Sequence, residues 1–153
     1  MISILITNFN KANYLKKTLE SCRDQLEKNF EIIFFNDHST DNSLKIVNEF
    51  IKKNKKIKFN LIKRKGKKYL SNNYNQMTAI IHSLKYSSGT YIALLDADDF
   101  FVKSKLKTLK IEIDKNQKKI LYNSYYILKN KKYYINKRHF LIRKLIWPIF
   151  PPT

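Results

Sequence analysis

Three of the chain's twelve acidic residues fall within four positions, at Asp96, Asp98 and Asp99, directly after the apolar run Tyr91 to Leu95. Carboxylates that close repel one another unless a cation joins them. Hard divalent ions such as Mg2+ and Mn2+ take carboxylate oxygens and leave positions open for phosphate. A diphosphate needs that neutralisation when it departs from carbon. The stretch Leu94 to Phe100, LLDADDF, therefore reads as a site for metal and diphosphate. A helix cap accounts for one Asp, not for three.

Two further polar clusters also follow apolar runs. Thr7-Asn8-Phe9-Asn10 ends the run Ile2 to Thr7. There Phe9 either stacks on a flat ligand such as a nucleobase or folds back into the core. Asn36 to Asp41, NDHSTD, ends the run Phe30 to Phe35. Asp37 there can accept hydrogen bonds from a base or ribose, while an Asx turn and a helix cap account equally for Ser39 to Asp41. Other candidates are weaker. His38, His82 and His139 have no ligand spacing, and Ser39, Ser71 and Cys22 have no adjacent base. With Gly66 and Gly89 as the only glycines, no glycine-rich phosphate loop exists.

The elements that must position these clusters alternate strand and helix. Ile2 to Thr7, Phe30 to Phe35, the alternating Ile57, Phe59 and Leu61, and Tyr91 to Leu95 read as strands. Helical stripes run through Tyr14, Leu15, Thr18, Leu19 and Cys22, then Leu44, Val47, Phe50 and Ile51 with Thr40 or Asp41 as cap. A third helix shows Met77, Ile80, Ile81 and Leu84, capped by Ser71 or Asn72 and ended by Gly89, and a fourth shows Leu106, Leu109 and Ile113. Lys63 to Tyr69 reads as a solvated basic loop. Lys119 to Lys129 and Tyr133 to Asn136 read as a strand pair, and a short helix is expected before Pro148. The expected fold is α/β, a mostly parallel sheet with helices on both faces. In such sheets ligands sit beyond the carboxyl ends of the strands, so all three clusters should share one edge.

With 153 residues, the chain has room for one domain with a real core. Its net charge of +19 invites a nucleic-acid reading, but 27 Lys against 4 Arg lacks the residue best suited to bidentate phosphate and guanine contacts. Nucleic acid is therefore not the expected partner; an anionic membrane surface or an anionic substrate fits as well. Cys22, the single cysteine, falls on a helical stripe and is expected to be a buried thiol. The first residues carry no leader signature, and the expected location is the cytoplasm, at the inner face of the membrane if the apolar, basic stretch His139 to Pro148 lies on it.

In this order the clusters resemble the family-2 type of inverting glycosyltransferases with the Rossmann-like GT-A fold. ISILITNFNKANYLKKTLES resembles that family's opening strand, loop and helix; FEIIFFNDHSTDNSLKIV its second strand and acidic turn; and SSGTYIALLDADDF its strand leading into the DXD motif. The resemblance covers roughly residues 1–116, expected to form the nucleotide-sugar-binding core, with 117–153 opening an acceptor-side region. It implies a hexosyltransferase that moves sugar from a nucleotide-diphosphate donor, a UDP-sugar, to a glycan, lipid-linked or protein acceptor, most often in surface polysaccharide assembly. It implies that Thr7, Asn8, Phe9 and Asn10 line the donor site, with Phe9 on the base. Asp37 would bind base or ribose, and Gln76 matches a Gln of some members. Asp96 would face the ribose beside Ala97 and share with Asp98 a Mn2+ or Mg2+ cofactor, and Asp99 would support the metal or cap the helix.

The chain departs from that family at three points. His38 stands where many members have Gly. Ile80 and Ile81 occupy the places of an Arg-Asn pair. The family's general base, a carboxylate well downstream of the DXD motif, has no counterpart, since the only later acidic residues are Glu112 and Asp114. The expectation is a fragment of a longer enzyme; the alternative is a shortened protein that binds donor without turnover.

Overall fold

The computed structural model describes residues 1–66, 71–116, 125–129 and 132–136. Two compact units divide the chain, Met1–Gln117 and Lys118–Thr153.

The first unit runs β1 (Ile2–Asn8), α1 (Ala12–Arg23), β2 (Phe30–Asn36), α2 (Ser43–Lys53), β3 (Lys58–Lys63), α3 (Asn72–Leu84), β4 (Tyr91–Asp96) and α4 (Lys105–Asn116). Its four strands are parallel in the order β3-β2-β1-β4. From β1 the chain steps outward twice and then returns to the far side of β1. Right-handed crossovers therefore put α1 and α2 on one face of the sheet and α3 on the other. The reversal lies between β1 and β4, the kind of switch point at which open sheets leave a crevice.

Central strands covered on both faces must be apolar throughout. β2 is buried at all seven positions, and β1 at six of seven. Alternate residues feed two layers. Ile2, Ile4, Ile6, Phe30, Ile32 and Phe34 pack with Leu15, Leu19 and Cys22 of α1, Val47 and Phe50 of α2, and Leu106 of α4. Each large side chain so enclosed contributes about 1.5–3 kcal/mol by leaving water. Cys22 is fully buried, as its stripe predicted, and burial pushes its thiol up to about 12.

The other layer departs from expectation. Of the stripe Met77, Ile80, Ile81 and Leu84 on α3, Ile80 is half-buried and the other three are exposed, while Asn75, Ala79 and Ser83 are the buried positions. On β1 and β2 the alternate positions Ser3, Leu5, Glu31, Ile33 and Phe35 are the buried residues of this second layer, where the Phe35 ring meets His82 of α3. Gly89 does not end α3, which stops at Leu84; its N–H donates to Ser3 Oγ and Glu31 Oε1 at the amino edge of the sheet. Ser71 caps α3 by accepting from the Tyr74 N–H at 3.4 Å. Tyr14, on the expected stripe of α1, is exposed.

In the second unit, β5 (Tyr125–Lys129) pairs antiparallel with β6 (Lys132–Asn136). Residues 119–124 of the expected strand pair, and the expected helix before Pro148, lie outside the described residues. No helix among the described residues is long and apolar enough to cross a membrane.

Candidate functional site

Register decides what the carboxyl edge collects. Asn8 lies opposite Asn36 and Thr7 opposite Asp96, so the ends of β1, β2 and β4 are level. The loops that follow are tied together. Asn8 Nδ2 donates to Asn36 Oδ1 at 3.0 Å and to Ser39 Oγ at 2.9 Å. Asp41 receives the Ala12 N–H at 2.9 Å and the Ser43 N–H at 3.0 Å, so one carboxylate caps both α1 and α2. Burial pushes Asp41 up, but those bonds outweigh it and hold it below the usual carboxylate range.

The acidic turn is anchored from behind. The hydroxyl of Thr18, in mid-α1, lies 2.8 Å from the carbonyls of both Ala97 and Asp99. Ser21 Oγ accepts from the Phe101 N–H, and Gln25 accepts from the Leu106 N–H while donating to the Val102 carbonyl. Thr18 and Ser21 of α1, with Gln25 just beyond its end, thus hold the 97–106 segment at several points, and the apolar positions of α1 fill the core.

At this edge a cavity of about 390 Å³ opens. Thr7, Asn8, Phe9, Asp37, Gln76, Asp96, Ala97 and Asp98, eight of the ten residues given site roles from sequence, line it, and Asp99 does not. Asn10 is not among its lining residues. With φ 52° it turns aside, and its Oδ1 accepts from the Thr40 N–H at 2.8 Å. Phe9 is 39% exposed, so its ring is at the surface rather than folded into the core. Gln76 Nε2 donates to Asp96 Oδ1 at 2.7 Å, and Lys11 Nζ reaches Asp98 Oδ2 at 2.6 Å. Partial burial, then Asp96 and Asp98, push the Asp99 carboxyl up. Asp98 holds the Lys11 ammonium above the usual lysine range.

Two residues that the sequence reading passed over belong to this edge. Arg64, expected in a solvated loop, has a buried side chain that pairs with Asp37 Oδ1. Its Nη2 donates to the Asn75 carbonyl at 2.8 Å and to Thr78 Oγ1 at 2.9 Å, tying β3 and Asp37 to α3. The available signal was position: Arg64 follows a strand end, as the three clusters do. Lys11 is the second, and it lines the cavity with Asn72, Asn75 and Ala79. His38, in place of the family's usual Gly, holds φ 55°, a left-handed conformation that glycine adopts without strain. Among the described residues no three His, Cys, Asp or Glu side chains converge to hold a metal alone. Two neighbouring carboxylates in an open cavity do suit an ion that takes its other oxygens from phosphate.

A family model described as glycosyl transferase family 2 matches residues 3–152. An uncharacterised glycosyltransferase of Haemophilus influenzae is 34% identical over 107 residues, 70% of this chain and 40% of that protein. The Escherichia coli UDP-Glc:alpha-D-GlcNAc-diphosphoundecaprenol beta-1,3-glucosyltransferase WfaP is 33% identical over 132 residues, 85% of this chain and 48% of that one. The chain spans less than half the length of these curated relatives. Among solved structures, TarS of Staphylococcus aureus in complex with UDP shares the fold at TM-score 0.64 and 24% identity, covering 76% of this chain and 32% of that one. The mannosyltransferase PcManGT of Pyrobaculum calidifontis, in complex with GDP-Man and Mn2+, gives TM-score 0.57 at 16% identity, over 65% of this chain and 28% of that one. Both likenesses show the GT-A fold.

Proposed function

Because the chain belongs to glycosyl transferase family 2, we propose that residues 1–116 form the donor-binding core of an inverting glycosyltransferase and bind a nucleotide-diphosphate sugar, specifically a UDP-sugar. The supporting observation is the cavity at the carboxyl edge, where Phe9, Asp37, Asp96 and Asp98 meet. The exposed Phe9 ring offers a stacking face for the base. Asp37, held by Arg64 against α3, offers an acceptor to the imide N–H of uracil. Asp96, oriented by Gln76, faces the ribose. Thr7, Asn8, Asn10 and Ala97 shape the walls and the loops behind them.

Asp98, with Asp96, would hold Mn2+ or Mg2+, which when bound neutralises the diphosphate as it leaves. The carboxylates lining the cavity are Asp37, Asp96 and Asp98, and all three have donor-side roles. The role proposed for this chain is therefore donor binding. Residues 117–153 open the acceptor side, and the acceptor is a glycan, a lipid-linked sugar or a protein. The activity in the name of WfaP, on a diphosphoundecaprenol-linked sugar, supports a lipid-linked acceptor, hence work at the inner face of the membrane in polysaccharide assembly.

Calorimetric titration of UDP tests the reading. Binding should require Mn2+ or Mg2+ and be lost in Asp98→Ala. Equal binding in EDTA would overturn the metal assignment. A nucleic-acid module would instead bind oligonucleotide with an affinity that falls steeply with salt and ignores Mn2+.

A further inference from the structure

Lys11 stands at the N-cap position of α1, where its side chain makes no capping bond. A cation at a helix N-terminus opposes the positive end of the helix dipole; the first turn of α1 holds no acidic residue of its own, and the carboxylate at that end is Asp41, which takes the Ala12 N–H. The side chain instead crosses to Asp98, 87 positions away in sequence, and meets one carboxylate oxygen at 2.6 Å. Both residues line the cavity, and both side chains remain near 40% exposed, Lys11 at 42% and Asp98 at 38%. Gln76 is the hydrogen-bond donor to the neighbouring Asp96. Of the three clustered carboxylates, Asp98 is thus the one that an ammonium group already neutralises.

We propose that Lys11 is the resident counter-cation of Asp98, displaced when a divalent ion binds and then drawn to the diphosphate, so that metal and nucleotide bind cooperatively. This rests on the metal role assigned to Asp98 above. An exposed ion pair is weak enough to be exchanged rather than to lock the site. Until a metal arrives, the pair relieves the repulsion among Asp96, Asp98 and Asp99 and keeps Asp98 in the cavity. Once the metal takes Asp98, the freed ammonium stands on the cavity wall and faces an anionic diphosphate.

Titration of Mn2+ into the 153-residue chain, with free Mn2+ counted by electron paramagnetic resonance, tests this with and without UDP. Without nucleotide, Lys11→Met should bind Mn2+ about five-fold more tightly than the natural chain, the exchange value of one exposed pair. The tightening of Mn2+ by UDP should shrink by a similar factor, and Lys11→Arg should restore the natural pattern. Unchanged or weaker Mn2+ binding in Lys11→Met overturns the proposal. Asp98→Asn separates the two readings. If Mn2+ binding survives that change in full, the metal assignment fails and the role of Lys11 with it. If binding is lost there yet is unaltered in Lys11→Met, only the role of Lys11 fails.

Discussion

The two ends of the same four strands each carry carboxylates, treated in opposite ways. At the amino edge Glu31 is fully buried. Its Oε1 accepts from Ser3 Oγ at 2.6 Å, the Ser88 N–H at 2.6 Å and the Gly89 N–H at 3.1 Å, and its Oε2 meets Lys58 Nζ at 2.8 Å. Burial alone would push Glu31 up, but the bonds from Lys58, Ser3 and Ser88 overcome it and bring the group down to about 2. At the carboxyl edge, Asp96, Asp98 and Asp99 are exposed, and Asp99 is pushed the other way by partial burial and by its two neighbours. A carboxylate that serves the fold has its needs met by the chain. One that serves a ligand is left short of them.

Breaking the amino edge should have the largest effect. Glu31→Gln removes the charge that Ser3, Ser88, Gly89 and Lys58 all meet and should lower stability by about 3 kcal/mol in urea denaturation, with Mn2+-dependent UDP affinity retained. The same contrast predicts a pH dependence. A carboxylate depressed in the folded state stabilises it above the unfolded value, and that contribution is lost as pH falls. Between about pH 4.5 and 2 the natural chain should therefore lose roughly 3 kcal/mol that Glu31→Gln does not, seen as a shallower fall of the midpoint for the variant across acid urea titrations.

Gly89→Ala comes next. A Cβ there would meet the Ser3 nitrogen at 2.6 Å and Ser3 Oγ at 2.5 Å, and the backbone atom cannot step aside. A loss of about 2 kcal/mol is expected on thermal melting. The smallest effect belongs to the other edge. Asp99→Asn should raise stability by about 0.5 kcal/mol in the metal-free chain, because it removes one of three repelling charges. A loss of stability there would mean that the acidic turn is satisfied as the amino edge is, and the contrast would collapse.

Much of the α1 layer was legible because its signal is local. Apolar runs in β1 and β2 and the stripe Leu15, Thr18, Leu19 and Cys22 need no distant partner to be read. The level strand ends, and hence the shared cavity, followed from parallel topology. The α3 layer was not legible. Met77, Ile81 and Leu84 have a helical period, but periodicity cannot say which side of a helix meets the sheet. The answer lay in partners distant in sequence, such as the Arg64 side chain that bonds the Asn75 carbonyl and Thr78 Oγ1. Arg64 and Lys11 were missed for a related reason. In a chain so rich in basic residues, one more cation carries no local mark, and only its partners, Asp37 and Asp98, distinguish it.

Ligand-binding loops commonly open often and exchange their amide hydrogens quickly. The acidic turn is built to do otherwise. Thr18, buried in mid-helix, grips the carbonyls on either side of Asp98, and the Asp99 N–H is itself bonded to the Asp96 carbonyl at 3.0 Å. The Asp99 amide should therefore exchange as slowly as a core strand even without ligand, and Thr18→Val should release it. The carboxylates would wait for their ligand on a floor that does not move.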